Sequence, residues 1–146
     1  MIANIPDHVA HRELQRVAKK LKWSEDCLHY CPLPSDQGSG NVLLLEVQSE
    51  SVTEVFTSFA KRGRAEAAAD TVIQNASHYI KADVPVGEYL ADQLLLPLAL
   101  AGEGEFTTLA PTCHTLTNIE VIKIFLSVSI TPMQVRDDAW VIQVKK

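Results

Sequence analysis

His114 lies in the run Pro111-Thr112-Cys113-His114-Thr115-Leu116-Thr117. A neutral imidazole is a competent nucleophile near pH 7. Thr117 and Glu120 have the spacing of a capping box, in which hydroxyl and carboxylate each satisfy a free backbone N–H. That spacing starts a helix at Thr117 and leaves His114 in a polar turn three residues ahead of it. A phosphoryl group beside His114 would meet the positive end of the helix and its unpaired N–H groups. A lone histidine in a turn is equally an ordinary surface residue, and spacing does not choose between the two.

Tyr89, Asp92 and Gln93 stand at i, i+3 and i+4, so a helix turns all three to one side. A ring, a carboxylate and an amide on one face suit recognition of a nucleoside, or form the polar margin of a buried helix. Both readings stay open. Cys27, His29 and Cys31 alternate with Leu28 and Tyr30, as on one face of a short strand. Zinc needs four ligands, commonly in two close pairs, and no second pair follows. Buried thiols of a half-covered strand are the expectation, with no metal site. The glycine-rich Asp36-Gln37-Gly38-Ser39-Gly40-Asn41 leads into a strand, whereas phosphate-cradling loops lead into a helix. It reads as a turn.

The elements that must position these residues follow from periodicity. Pro6 and Asp7 open a helix whose stripe is Val9, Leu14, Val17, Ala18 and Leu21. Residues 41–47 and 52–59 read as strands, with Val52, Phe56 and Phe59 the large apolar residues of the second. Lys61-Arg62-Gly63-Arg64 breaks the chain before the strongest helical period, residues 65–82. Pro85 and Gly87 mark a border between domains 1–84 and 85–146. A very apolar helix follows at 89–100, ended by Gly102 and Gly104, then a strand at 105–109. Ile119, Ile122, Phe125 and Leu126 give the inner face of the helix after Thr117. Strands at 127–135 and 139–144, joined by Arg136-Asp137-Asp138, complete an α+β chain.

Composition sets outer bounds. The chain has 146 residues, 47 % hydrophobic and 21 % charged, which is ordinary for a globular protein. No apolar stretch reaches the ~20 residues that span a bilayer, since Pro97 interrupts the run 94–101. Residues 1–9 lack the regions of a signal peptide. Three unpatterned cysteines fit a reducing compartment, so the cytoplasm is the expected location and no membrane partner is expected. A net charge of −5 is unlike the basic face of a free-standing nucleic-acid module. Lys19, Lys20 and Lys22, and likewise Lys61, Arg62 and Arg64, read as solvated surface.

At several of these stretches the sequence resembles the RNA 3'-terminal phosphate cyclase family. The likeness is carried by Gly87-Glu88-Tyr89-Leu90-Ala91-Asp92-Gln93-Leu94-Leu95-Leu96-Pro97, by Ala99-Leu100-Ala101-Gly102, and by His114-Thr115-Leu116-Thr117-Asn118-Ile119-Glu120-Val121-Ile122. Asp36-Gln37-Gly38-Ser39-Gly40-Asn41, Leu45-Glu46-Val47 and Asn4-Ile5-Pro6-Asp7-His8-Val9-Ala10 also fit, in order and with compatible spacing. Ser39 stands where the family pattern has proline, and the stretch at Lys61-Arg62-Gly63-Arg64 is one residue short.

The resemblance implies ATP-dependent conversion of an RNA 3'-phosphate to a 2',3'-cyclic phosphodiester through a histidine–AMP intermediate. It implies that His114 is the nucleophile, that Tyr89 stacks on adenine, and that Asp92 and Gln93 contact the nucleotide. Cyclase-like relatives that assist ribosome assembly lack the histidine, so His114 favours the enzyme branch. Family members are more than twice as long. By resemblance, residues 1–84 are most of a thioredoxin-like insert with its first strand truncated. Residues 85–146 are then the end of a repeat of helices on a four-stranded sheet. A divalent metal is implied as well, its contact expected in an absent N-terminal half, and no metal ligand is assigned here. The expected partners are ATP, RNA 3'-phosphate ends and either that half as a separate chain or a second copy. Exposed apolar surface is expected where the missing parts would pack. The alternative is a non-catalytic RNA- or protein-interaction module.

Overall fold

In the computed structural model, which describes residues 1–50, 52–59 and 65–146, helices and strands mix along the chain. The order is β1 (Ile2–Ala3), α1 (Asp7–Leu21), a 3₁₀ turn (Glu25–Cys27), β2 (Gly40–Gln48), β3 (Thr53–Phe59), α2 (Ala65–Ala82), α3 (Glu88–Ala101), β4 (Glu103–Thr108), α4 (Cys113–Phe125), β5 (Ser129–Arg136) and β6 (Ala139–Lys145). The chain is α+β, as its periodicities imply. Among the described residues the strands form two three-stranded sheets, ordered β1-β2-β3 and β4-β6-β5. Contacts divide the chain into two units, residues 1–49 with 55–78, and residues 50–54 with 79–146. The break expected at Lys61-Arg62-Gly63-Arg64 lies outside the described residues.

In the first unit β1 pairs antiparallel with β2, placing Ile2 opposite Asn41. α1 buries Ala10, Val17 and also Glu13, a charged residue on the apolar stripe. Both Glu13 carboxylate oxygens accept from Asn41 Nδ2 at 2.8 Å, tying helix to strand. Arg16 grips Asp70 of α2 through two bonds of 2.8 Å, and Arg12 pairs with Glu66. Such exposed pairs contribute about 0–1 kcal/mol each. The Asn4 side-chain amide donates to the carbonyls of Ser35 and Gln37, fixing the turn that precedes β2.

The strand and buried thiols expected at Cys27–Cys31 are not found. No strand forms at Cys27–Cys31; a 3₁₀ turn ends at Cys27, and beyond it only Pro32 bridges Ile2. Alternating side chains made that stretch look like a strand, yet Pro32 and Pro34 leave little room for a ladder. Cys27 and Cys31 are exposed rather than buried. In β3 the inward phase runs through Glu54 and Phe56, so Phe59 is 64 % exposed.

The second unit is built on β6, which pairs antiparallel with β4 on one side and β5 on the other. Ile130, Ile142 and Val144 from the sheet pack with Leu95 and Ala99 of α3 and with Ile119 and Ile122 of α4. α3 ends on Gly102 at φ 86°, a left-handed cap that glycine adopts without a Cβ penalty. β4 follows at once, and a Cβ on Gly104 would lie 2.7 Å from Leu98 Cδ2, so glycine permits the close return beneath the helix. Pro97 sits on the exposed side of α3, where the Gln93 carbonyl it leaves unbonded can meet water. Arg136 donates to the carbonyls of Ala82 and Asp83, capping the end of α2. Phe125, expected on the inner face of α4, is 79 % exposed.

Glu54 is buried, and its carboxylate accepts from the N–H of Gly87 at the start of α3. A Cβ on Gly87 would lie 2.7 Å from that carboxylate. Burial pushes the Glu54 carboxyl above the usual glutamate value, and the Gly87 N–H offsets part of the rise. A carboxyl raised in this way holds its proton more tightly in the folded than in the unfolded chain. Its stabilisation is complete below the unfolded value and is lost as pH rises through the folded one. Glu54→Gln removes the titration. Urea unfolding of both chains should show wild type losing stability relative to the variant as pH is raised from 4.5. A difference independent of pH would contradict this placement of Glu54.

Candidate functional site

Val86, two residues before the first residue of α3, bridges Thr108, the last residue of β4. α4 starts five residues after Thr108, so the N-termini of α3 and α4 lie at the same end of the sheet. With one strand between them, the two helices run in the same direction.

The start of α4 differs from the expected one. Thr112, not Thr117, is the N-cap; its Oγ1 accepts from Thr115 N at 3.1 Å. The sequence offers two threonines with acceptable caps, and the short exit from β4 selects the earlier one. His114 is therefore the second residue of the helix, not part of a turn ahead of it, and its side chain is exposed. The earliest N–H groups of a helix lack intrahelical acceptors, so those of Cys113 and His114 belong to the positive end of α4. The expected helix end beside His114 is thus present, but closer than the sequence implied.

On α3, Tyr89 is 52 % exposed and Gln93 is exposed, one turn apart. Asp92 is half-buried between them and turned to α4, where its Oδ1 accepts from Asn118 Nδ2 at 3.0 Å. The same amide nitrogen lies 3.3 Å from the Asp92 carbonyl. Burial, and then the adjacent Glu88 carboxylate, push the Tyr89 phenol above its ordinary value, so it remains a neutral O–H at neutral pH.

Asn118 is the residue that sequence reasoning left without a role. It stands at i+4 from His114, one turn further along the same side of α4. That spacing was legible; its partner Asp92, on another helix, was not. The arrangement presents an aromatic ring, an amide, an imidazole and two helix N-termini at one end of one unit, a set suited to a nucleotide's base and phosphate. A hollow of about 370 Å³ in the first unit, lined by Met1, Ala3, Leu33, Gln37, Gly40 and Asn41 among others, includes none of these residues. Among the described residues no three His, Cys, Asp or Glu side chains gather to hold a metal ion. Nor is any described helix long and apolar enough to cross a membrane.

A family model described as RNA 3'-terminal phosphate cyclase matches residues 11–131. The chain belongs to the RNA 3'-terminal phosphate cyclase family. It is 46 % identical over 138 residues to an RNA 3'-terminal phosphate cyclase of Ectopseudomonas mendocina (strain ymp). That match takes in 94 % of this chain and 40 % of the relative, so the chain spans about two fifths of the length of the curated cyclase it resembles. Both stretches that carry Tyr89, Asp92, Gln93 and His114 fall inside the family match.

The cap assignment can be tested by stability. Thr112→Ala should cost about 1 kcal/mol in urea unfolding. Thr117→Ala, at an exposed position inside the helix, should stay within about 0.5 kcal/mol of wild type. The reverse ranking would restore the later helix start.

Proposed function

We propose that the chain is the nucleotide-accepting part of an RNA 3'-terminal phosphate cyclase. In this reading it acts with the portion of the family's length that it does not span. Residues 1–84 are assigned as the insert-like domain and 85–146 as the end of the catalytic domain. The observation that carries the reading is His114 exposed in the first turn of α4, one turn from the Asn118–Asp92 bond.

In the proposed sequence an imidazole nitrogen of His114 attacks the α-phosphorus of ATP. The α–β phosphoanhydride bond breaks, and pyrophosphate leaves with the electron pair. A P–N bond then holds AMP on His114. An oxygen of the RNA 3'-phosphate attacks that phosphorus, the P–N bond breaks, and the histidine returns to its starting form. Finally the RNA 2'-hydroxyl, losing its proton, attacks the 3'-phosphorus, and AMP leaves as the 2',3'-cyclic phosphodiester closes. Activation by AMP converts a poor leaving oxygen into a good one.

Tyr89 suits stacking on adenine, because its ring is half-exposed and its phenol stays uncharged. The first-turn N–H groups of α4 favour phosphate oxygens next to the imidazole. Gln93 offers an amide from the same side of α3 as Tyr89. Asp92 already accepts from Asn118, so its first effect is to hold the two helices in register, with any direct nucleotide contact additional to that. Among the described residues no His, Cys, Asp or Glu cluster fits a divalent metal. Exposed thiols at Cys27, Cys31 and Cys113 and the use of ATP fit a reducing, cytoplasmic setting.

Incubation with α-phosphate-labelled ATP and a magnesium salt, alone and with the remaining portion of the cyclase, tests the proposal. Acid-labile, alkali-stable label should appear on the chain and fall to background in His114→Ala. Label that persists in the variant would move the nucleophile elsewhere. No label under either condition would favour the non-catalytic interaction module.

A further inference from the structure

The half-buried Asn118 has one committed end and one open end. Its amide nitrogen donates to the Asp92 carbonyl at 3.3 Å and to Asp92 Oδ1 at 3.0 Å. A backbone carbonyl can only accept, so the nitrogen faces α3 and the amide oxygen faces away from it. Among the described residues Asn118 Oδ1 accepts no hydrogen bond, and the ring of His114 has no partner.

Side chains on a helix lean toward its N-terminus, so a residue covers the turn before its own. Asn118 therefore leans over the turn that holds His114, four residues earlier on the same side of α4. Side chains at that spacing are within reach of each other. Thr117, at i+3 from His114, is the other polar neighbour. Its hydroxyl both donates and accepts, and so gives the ring no preferred proton position. Asn118, with its nitrogen held by Asp92, has only an acceptor to offer.

We propose that Asn118 is a positioning residue for His114, its Oδ1 accepting the N–H of Nδ1, the ring nitrogen nearer the backbone. The consequence for AMP transfer rests on the proposed function; the bond itself does not. A neutral imidazole has one N–H and one lone pair, and the bond made at one nitrogen decides the form of the other. With the proton held on Nδ1, the lone pair sits on the outer nitrogen, Nε2. That pair forms the P–N bond while the α–β bond breaks and pyrophosphate leaves with its electrons. The proton stays on Nδ1, because a neutral amide oxygen does not remove it, and the ring carrying AMP remains cationic. When the RNA phosphate attacks, the P–N electrons return to Nε2 and the ring departs as neutral imidazole. A carboxylate at position 118 would draw the proton away, and the ring would then have to depart as an anion.

Long-range proton–nitrogen NMR of the nitrogen-labelled chain tests this without ATP or the rest of the cyclase. At about pH 8 an ordinary imidazole is neutral, and its ring nitrogens report which of them carries the proton. The signals of His114, one of five histidines, are assigned by their loss in His114→Gln. The ratio of Nδ1–H to Nε2–H should be at least about two-fold higher in wild type than in Asn118→Leu, the effect of one hydrogen bond between neighbours on a helix. Asn118→Asp keeps an acceptor and should retain the wild-type ratio. Equal ratios in wild type and Asn118→Leu would overturn the proposal, as would a ratio as low in Asn118→Asp as in Asn118→Leu. Should the leucine variant not fold, a wild-type ratio no higher than that of the exposed His8 and His29 overturns it alone. A raised ratio in a chain that never takes label from ATP would retire the adenylyl chemistry and leave the Asn118–His114 bond standing. Label on His114 with an ordinary ratio would do the reverse.

Discussion

The start of α3 and the start of α4 are fixed to one end of the β4-β6-β5 sheet by the Val86–Thr108 bridge. Everything at the candidate site depends on that constraint. It sets both helices parallel, so that Leu95 and Ala99 meet Ile119 and Ile122 over Ile130, Ile142 and Val144. It brings Asp92 within hydrogen-bond distance of Asn118. It also puts two positive helix ends together in a chain whose net charge is −5. An anion placed there would meet local backbone dipoles even without a basic surface around it.

Two buried carboxylates, one in each unit, hold elements that periodicity alone would leave loosely placed. Glu13 takes both its bonds from Asn41, and Glu54 takes the N–H of Gly87. Burial raises both groups above the ordinary glutamate value. An ionised carboxylate in such a place costs free energy unless donors meet it, which is why each lies against an amide. The consequence for the site is at Gly87. Its N–H and its missing side chain admit the Glu54 carboxylate at the entrance to α3, within about one and a half turns of Tyr89 and Asp92.

Much of this fold was legible where a local period is strong and self-sufficient. The alanine-rich stripe gives α2 its bounds at 65 and 82, and the very apolar stretch read at 89–100 gives α3 to within a residue at each end. Legibility failed where the deciding partner is remote in sequence. Thr112 and Thr117 are both plausible caps, and only the end of β4 at Thr108 separates them. Cys27 to Cys31 alternates like a strand but has no ladder to join. Glu54 occupies an inward position of β3 that a hydrophobic pattern assigns to its neighbours. Phe125 reads as core by its spacing and is exposed. At the site, the one-sided spacing of Tyr89 and Gln93 was readable, whereas the turn of Asp92 towards Asn118 required a second helix.

We propose that the N-terminal ends of α3 and α4 together receive a nucleotide. The most direct measurement is a titration of the isotope-labelled chain with AMP, followed amide by amide in solution NMR. The account predicts saturable shifts that are largest at Cys113 and His114 and along residues 87–93. Saturable shifts confined to the first unit around Gly38, Gly40 and Asn41, or an absence of saturable shifts at α3 and α4, would contradict it.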